Sequence, residues 1–294
     1  MGLEHYDSFD VPVDGGLLHV GRWGDGPRVV VAAHGITGTH RAWQAVARAL
    51  PSDVTLIAPD LRGRGRSGTL PGPYGMRQHA DDLLGVLDHL DLDHAVLAGH
   101  SMGAYVATVA ATRDPKRWTS VVLVDGGVSL PLPDGVDPDA LVAGVLGPAL
   151  ARLEMTFETR DAYLDFWRAH PAFVDPGVWS DDTEAGLLYD LVGEEPELRS
   201  SASLEAVRVD SRELLVDRDI RRAGMELQQS TVLLRASRGL LNQTPPFLPD
   251  ELIEPLRARW PIRLEMLVDN TNHYSIILAP RGAKTVATYL AAAR

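Results

Sequence analysis

A serine with a glycine two residues away on each side, Gly99-His100-Ser101-Met102-Gly103, is the stretch with the clearest capacity for chemistry. It follows the apolar run Ala95-Val96-Leu97-Ala98 and precedes the small-residue run Ala104-Tyr105-Val106-Ala107-Thr108-Val109-Ala110-Ala111. A strand, a sharp turn and a helix are therefore expected in that order. Glycines at those positions let neighbouring backbone approach without a Cβ clash, and the turn lifts the Ser101 hydroxyl off the sheet edge. The first amides of the helix then point into the same space, where they can stabilise an oxyanion. Such a serine suits nucleophilic attack, provided a base takes its proton.

The rest of the inventory narrows the chemistry. With no cysteine in the chain, thiol catalysis, disulfides and thiolate metal sites are excluded. No His/Asp/Glu group shows metal-ligand spacing such as H-E-x-x-H, so neither a metal nor a cofactor is expected. Residues Gly63-Arg64-Gly65-Arg66-Ser67-Gly68 match G-x-G-x-x-G, but they run into Thr69-Leu70-Pro71-Gly72-Pro73. A dinucleotide site needs a helix N-terminus there for the pyrophosphate, and that sequence cannot start one. Asn242-Gln243-Thr244 fits a glycosylation acceptor and is set aside for want of a leader sequence.

Composition points the same way. The net charge is −12, and Lys116 and Lys284 are the sole lysines, so there is no basic surplus for nucleic acid or an anionic membrane. Hydrophobic residues make up 45% and charged residues 23%, ordinary for a globular protein, and 294 residues can bury a sizeable core. The start, Met1-Gly2-Leu3-Glu4-His5-Tyr6-Asp7, has neither a basic nor an apolar signal region. No apolar run approaches the roughly 18 residues of a membrane helix. A soluble, cytoplasmic protein is expected.

Several elements must position the serine. Residues 9–23 alternate around Val13-Asp14-Gly15-Gly16-Leu17, a hairpin signal. Arg28–Ala33, Val54–Ala58 and Ser120–Val124 are near-continuous apolar runs, as expected of strands covered on both faces. Between them, Trp43, Val46, Ala47 and Leu50, then Leu83, Val86, Leu87 and Leu90, fall at helical spacing. From Leu130 to about Met225 no run reads as a buried strand, and helical patterns cover roughly 138–153, 159–170, 181–192 and 203–222. Strand patterns resume at Thr231–Ala236 and Ile262–Val268, and Ala283, Val286, Ala287 and Leu290 mark a closing helix. The expected fold is α/β, a mostly parallel, doubly wound sheet with a helical insertion after the sixth strand. The core spans residues 1–128 and 226–294 and the insertion 129–225.

These residues make the chain resemble the α/β-hydrolase fold family, in its members with a helical cap. The resemblance rests on His34-Gly35 after the third strand, Asp60-Leu61-Arg62-Gly63-Arg64-Gly65-Arg66-Ser67 after the fourth, Gly99–Gly103 at the turn and Asn272-His273 after the last strand. It covers nearly the whole length outside the cap. It implies that Ser101 is the nucleophile and His273, alone among ten histidines, the base. It also implies an oxyanion hole built from the backbone N–H groups of Met102 and Ile36. Aspartate at the elbow would indicate an epoxide hydrolase or a haloalkane dehalogenase, whereas serine implies acyl transfer, usually ester hydrolysis. His34 and His100 are expected to make structural hydrogen bonds, and Asp60 and Arg62 to pair or cap within their loop and do no chemistry.

The acid departs from the family pattern. Most members carry it a few residues after the strand at 231–236, but the loop here reads Ser237-Arg238-Gly239-Leu240-Leu241-Asn242-Gln243-Thr244, without a carboxylate. Asn242 stands where aspartate is expected, and an amide in that role costs about 10⁴ in rate by the protease precedent. Some members place the acid one strand earlier, where this chain has Asp125. Asp125 is therefore the expected acid and a weakened Asn242 site the alternative. Asp269, four residues before His273, is poorly placed. The resulting expectation is a cofactor-free serine hydrolase that cleaves a small carboxylic ester or lactone through an acyl-enzyme. A carbon–carbon bond hydrolase or haloperoxidase-like member of the fold, and a catalytically weakened ligand binder, are the alternatives.

Overall fold

The computed structural model describes residues 5–128, 135 and 137–293. Its main sheet has eight strands in the order β1-β2-β4-β3-β5-β6-β9-β10. These are β1 (Tyr6–Val13), β2 (Gly16–Trp23), β3 (Arg28–Ala33), β4 (Val54–Pro59), β5 (Ala95–His100), β6 (Trp118–Val124), β9 (Ser230–Ala236) and β10 (Ile262–Val268). The hairpin β1–β2 closes on Asp14-Gly15, with Val13 paired to Gly16, and β2 pairs antiparallel with β4. Every other pairing in the sheet is parallel. The first strand begins at Tyr6, three residues before the alternation at residue 9 suggests.

Both faces of the sheet are covered, which is why the central strands read as continuous apolar runs. Val30, Val96, Ala98, Val122 and Val124 face a core shared with α1 (Gln44–Ala49), α10 (Ser275–Leu278) and α11 (Pro280–Ala292). The alternate residues Val31, Leu97, Val121 and Leu123 pack on α2 (Met76–His89), α3 (Met102–Arg113) and Ile253 of α9 (Asp250–Arg257). Period-two alternation thus divides one set of strands between two cores.

The cap region lies between β6 and β9. Its helices are α4 (Pro138–Leu153), α5 (Arg160–Arg168), α6 (Asp181–Tyr189), α7 (Leu204–Val216) and α8 (Arg218–Ala223). The expected cap start at residue 129 lies outside the described residues. Two features differ from the helical patterns. The pattern over 203–222 is broken at Asp217, whose side chain accepts from Asp219 N–H and Ile220 N–H and so starts α8 as a new helix. Residues 191–192 are not helical but form β7 (Leu191–Val192), paired with β8 (Arg199–Ser200), a ladder too short for any periodicity.

The elbow is held by backbone packed against backbone. A Cβ on Gly99 would stand 2.1 Å from the Gly103 carbonyl oxygen, and one on Gly103 would stand 2.1 Å from that of Ala33. The neighbours are main chain in both cases, of α3 for Gly99 and of the end of β3 for Gly103, so the contact cannot relax by rotating a side chain. Gly103→Ala is expected to destabilise the protein by on the order of 3 kcal/mol, through overpacking. Urea unfolding of the variant against wild type checks this, and an unchanged midpoint would contradict the packing described.

Candidate active site

Ser101 sits between β5 and α3 with φ 56° and ψ −122°, a conformation that non-glycine residues rarely adopt. Its amide donates to the Val124 carbonyl at 3.0 Å and its carbonyl accepts from Ala104 N–H at 3.0 Å, so both sides of the strained residue are tied down. The hydroxyl lies 2.9 Å from His273 Nε2. On the other side of that imidazole, Nδ1 lies 2.6 Å from Asp125 Oδ2. A carboxylate only accepts, so Nδ1 carries the proton and Nε2 is left to accept from the serine. Asp125, fully buried, also takes the Ala236 N–H on Oδ1 at 3.0 Å.

The histidines at the two glycine turns act on backbone. His34 Nε2 accepts from Leu61 N–H at 2.9 Å, leaving Nδ1–H to donate to the Gly35 carbonyl at 2.7 Å. Gly38 N–H donates to the same carbonyl at 3.0 Å. That carbonyl belongs to the peptide whose N–H is that of Ile36, so two donors fix the peptide and polarise its amide. Burial pushes the His34 pKa down to about 3, keeping the ring neutral. His100, also neutral because burial holds it well below its ordinary value, donates from Nε2 to the His273 carbonyl at 2.8 Å. Met102 opens α3, where first-turn N–H groups have no intrahelical acceptor.

Asn242, at the position where most members of the resembled family carry the acid, does not reach His273. Its Nδ2–H donates to Asp175 Oδ1 at 3.4 Å, and its Oδ1 accepts from Asn272 Nδ2–H at 3.2 Å. Asp175, from the cap region, also receives Asn272 Nδ2–H at 3.1 Å and pairs with Arg238. The loop after β9 is thus spent on fastening the cap. Asp269 is exposed at the end of β10.

Asp60 and Arg62 do not pair with each other, but Asp60 caps within its loop by accepting from Arg66 N–H, one of the two arrangements expected from the sequence. Arg62 is buried in a two-point pair with Asp82 of α2, at 3.0 and 2.8 Å. Asp60 accepts from His40 N–H and Nδ1–H at 2.8 and 2.7 Å and from Arg66 N–H at 2.9 Å. Tyr189 O–H of α6 adds a further bond at 2.6 Å. Burial pulls the Asp60 carboxyl upward, but these donors outweigh it and hold it well below the usual carboxylate range.

Above Ser101 lies a cavity of about 240 Å³. Phe166, Trp167, Phe173 and Leu187 of the cap region, with Leu241 and Ile277 of the core, supply much of its apolar wall. Its buried polar wall includes Arg152, whose Nη1 donates to Asp190 at 3.2 Å, with Tyr163 O–H on the same carboxylate at 2.7 Å. Among the described residues no group of three or more His, Asp or Glu is placed to hold a metal ion. None of their helices is long and apolar enough to cross a membrane.

Known proteins share this fold. A family model described as alpha/beta hydrolase fold matches residues 28–280. Lipase LipV of Mycobacterium tuberculosis (strain ATCC 25618 / H37Rv) is 37% identical over 144 residues, 47% of this chain and 53% of that protein. A 2-(acetamidomethylene)succinate hydrolase of Mesorhizobium japonicum is 34% identical over 122 residues, 42% of this chain and 44% of that protein. The chain spans about half the length of the curated relatives it matches. Among solved structures, E-2-(acetamidomethylene)succinate hydrolase superposes with a TM-score of 0.79 at 24% identity, over 98% of this chain and 100% of that one.

Two predictions follow from the environment of these side chains. Asn242→Asp sets a second carboxylate beside Asp175, so it is expected to lower stability by about 1 kcal/mol and bring no gain in rate. A rate gain would show that the β9 loop still feeds His273. Acid sensitivity is the second. Folded His34 takes up its second proton only near pH 3, against an ordinary value of 6.5. The unfolded chain therefore binds more protons between those values, and stability falls as pH drops through that window. Asp60, held low, adds a loss of the same sign further down. Urea midpoints are expected to fall steadily from about pH 7 to about pH 4.5, and a flat profile would contradict the buried neutral ring.

Proposed function

The chain belongs to the alpha/beta hydrolase fold family, and on that premise we propose that it is a serine hydrolase cleaving a small carboxylic ester or lactone. The observation that carries this reading is the unbroken line from Ser101 Oγ through His273 to Asp125, at 2.9 and 2.6 Å. In this mechanism Ser101 attacks the carbonyl carbon while His273 Nε2 takes the hydroxyl proton. The charge that forms on the imidazole is stabilised by Asp125, which also fixes the tautomer. The carbonyl oxygen, now anionic, is met by the Ile36 and Met102 N–H groups. Collapse of the tetrahedral adduct expels the alcohol, which receives its proton from His273. Water, deprotonated by the same ring, then releases the acid from Ser101.

The reading extends to the domains and the substrate. Residues 129–225 are proposed as the cap, set on a core of 1–128 and 226–294, and the cap side chains around the cavity shape the acyl site. A volume of about 240 Å³ suits a short acyl group or a small lactone better than a long fatty chain. Relatives titled as a lipase and as a 2-(acetamidomethylene)succinate hydrolase support hydrolysis in general and leave the choice of substrate to this cavity.

Hydrolysis of a p-nitrophenyl ester series by wild type and by Ser101→Ala tests the reading. Turnover is expected for short acyl chains, decline for long ones, and loss of activity in the variant. Absence of serine-dependent turnover for any member would overturn it. Asp125→Asn is expected to keep the fold and lose on the order of 10⁴ in kcat, the penalty for misorienting and failing to stabilise the imidazole. A near-wild-type rate in that variant would remove Asp125 from the mechanism.

A further inference from the structure

Arg64 occupies the middle of the glycine-rich loop after β4 and has no solvent exposure. Its Nε–H donates to the Ile36 carbonyl at 2.9 Å and Nη1 to the Arg62 carbonyl at 2.9 Å. Nη2 lies 3.9 Å from Met102 Sδ, a weak acceptor. Nη1 also pairs at 2.6 Å with Asp210 Oδ2 of α7, in the cap region. Asp210 is itself fully buried, and it accepts from Gly75 N–H at 2.8 Å and from His79 Nε2–H at 3.0 Å. One guanidinium therefore touches both residues whose amides form the proposed oxyanion hole, and a carboxylate carried by the cap.

The placement has a geometric consequence. The peptide preceding Ile36 is pinned at the Gly35 carbonyl by His34 and Gly38, and the peptide following it is pinned at the Ile36 carbonyl by Arg64. With both peptide planes fixed, the direction of the Ile36 N–H is fixed as well. A guanidinium suits this task because its donors are rigidly coplanar and its bond to a carbonyl is charge-assisted. Burying that charge is costly unless it is paired, and the pairing carboxylate comes from the cap.

We infer that Arg64 is a positioning residue for the oxyanion hole, and that Asp210 makes this positioning depend on the seating of the cap over the core. The inference rests on the serine-hydrolase reading. With the cap seated, Asp210 holds Arg64 against Ile36 and Met102 and the hole is formed. With α7 withdrawn, Arg64 loses its counter-ion and the Ile36 peptide loses its clamp.

The test uses Arg64→Gln, Asp210→Asn and the double variant, the last leaving neither member of the pair as a buried charge should a single variant fail to fold. Each is measured for kcat and KM on a short p-nitrophenyl ester, for melting temperature, and for affinity toward an alkylboronic acid. The boron becomes tetrahedral and anionic on Ser101 Oγ and so reports the hole directly. For Arg64→Gln and the double variant kcat is expected to fall roughly 10- to 100-fold with KM within about twofold, and boronate affinity to fall by the same factor. Asp210→Asn alone is expected to move kcat and boronate affinity in the same direction by a smaller factor. A folded double variant with wild-type kcat and boronate affinity would overturn the inference. So would an effect confined to melting temperature or KM. An Asp210→Asn variant with unchanged kcat and boronate affinity would remove the dependence on the cap. Should wild type itself neither turn over the esters nor bind the boronate, the hydrolase reading fails first; active wild type with indifferent variants removes the Arg64 inference alone.

Discussion

The site depends on main chain pressed against main chain at the head of α3. Gly103 admits the Ala33 carbonyl where no side chain could stand, and Gly99 admits Gly103. This contact sets the start of α3 against the ends of β3 and β5, and three things follow from it. Ser101 is forced into positive φ, with its hydroxyl clear of the sheet. The start of α3 comes alongside the turn that begins at His34-Gly35, a Cβ on Gly103 standing 2.7 Å from the His34 carbonyl oxygen. The end of β6, bonded to the elbow through the Val124 carbonyl, brings Asp125 to the far side of His273. The strain at Ser101 is of the order of 1–3 kcal/mol, and the surrounding packed strands retain it.

Around this centre the polar groups are distributed by side. Cap-region acids meet core arginines: Asp175 meets Arg238, Asp182 meets Arg48, Asp210 meets Arg64 and Asp217 meets Arg77. Tyr189 O–H on Asp60 reverses the arrangement, with the core supplying the carboxylate. Pairs at the rim contribute little, since their charges remain hydrated. The Arg64–Asp210 pair has no exposure on either side, so loss of one partner would leave an uncompensated charge at a cost of about 3–5 kcal/mol. Losing a contact between cap and core is therefore uneven in cost, and largest at the Arg64–Asp210 pair.

Much of this was legible in the sequence, for local reasons. Strands such as Val54–Pro59 and Ala95–His100, buried at every position, announce themselves as apolar runs, and the turn at Gly99–Gly103 carries its steric requirement in its glycines. The family resemblance pointed to His273 as base and to Ile36 and Met102 as oxyanion donors, and it left the acid mainly between Asp125 and Asn242. That choice was not local. Asn242 faces away only because Asp175, Asn272 and Arg238 gather there, and no spacing encodes that meeting. Arg64 was hidden for the same reason, lying in a rejected phosphate-loop match with partners distant in the chain. The break between α7 and α8 had a visible cause, since Asp217 is a good helix-capping residue, yet it sits within a continuous helical period that masks it.

The position of Asp125 has a consequence for how such a chain can change. Ser101 and Asp125 follow neighbouring parallel strands whose ladder locks their separation, with His100 paired to Val124 one residue before each. The β9 loop, relieved of any carboxylate, grips the cap instead. The proposed acid and the cap contacts of the β9 loop thus come from different segments of the chain. Arg238, Asn242 and Asp175 gather around Asn272, the residue before His273. In this arrangement the cap contacts of the β9 loop can be exchanged without moving the carboxylate that faces His273, whose place is set by the β5–β6 ladder.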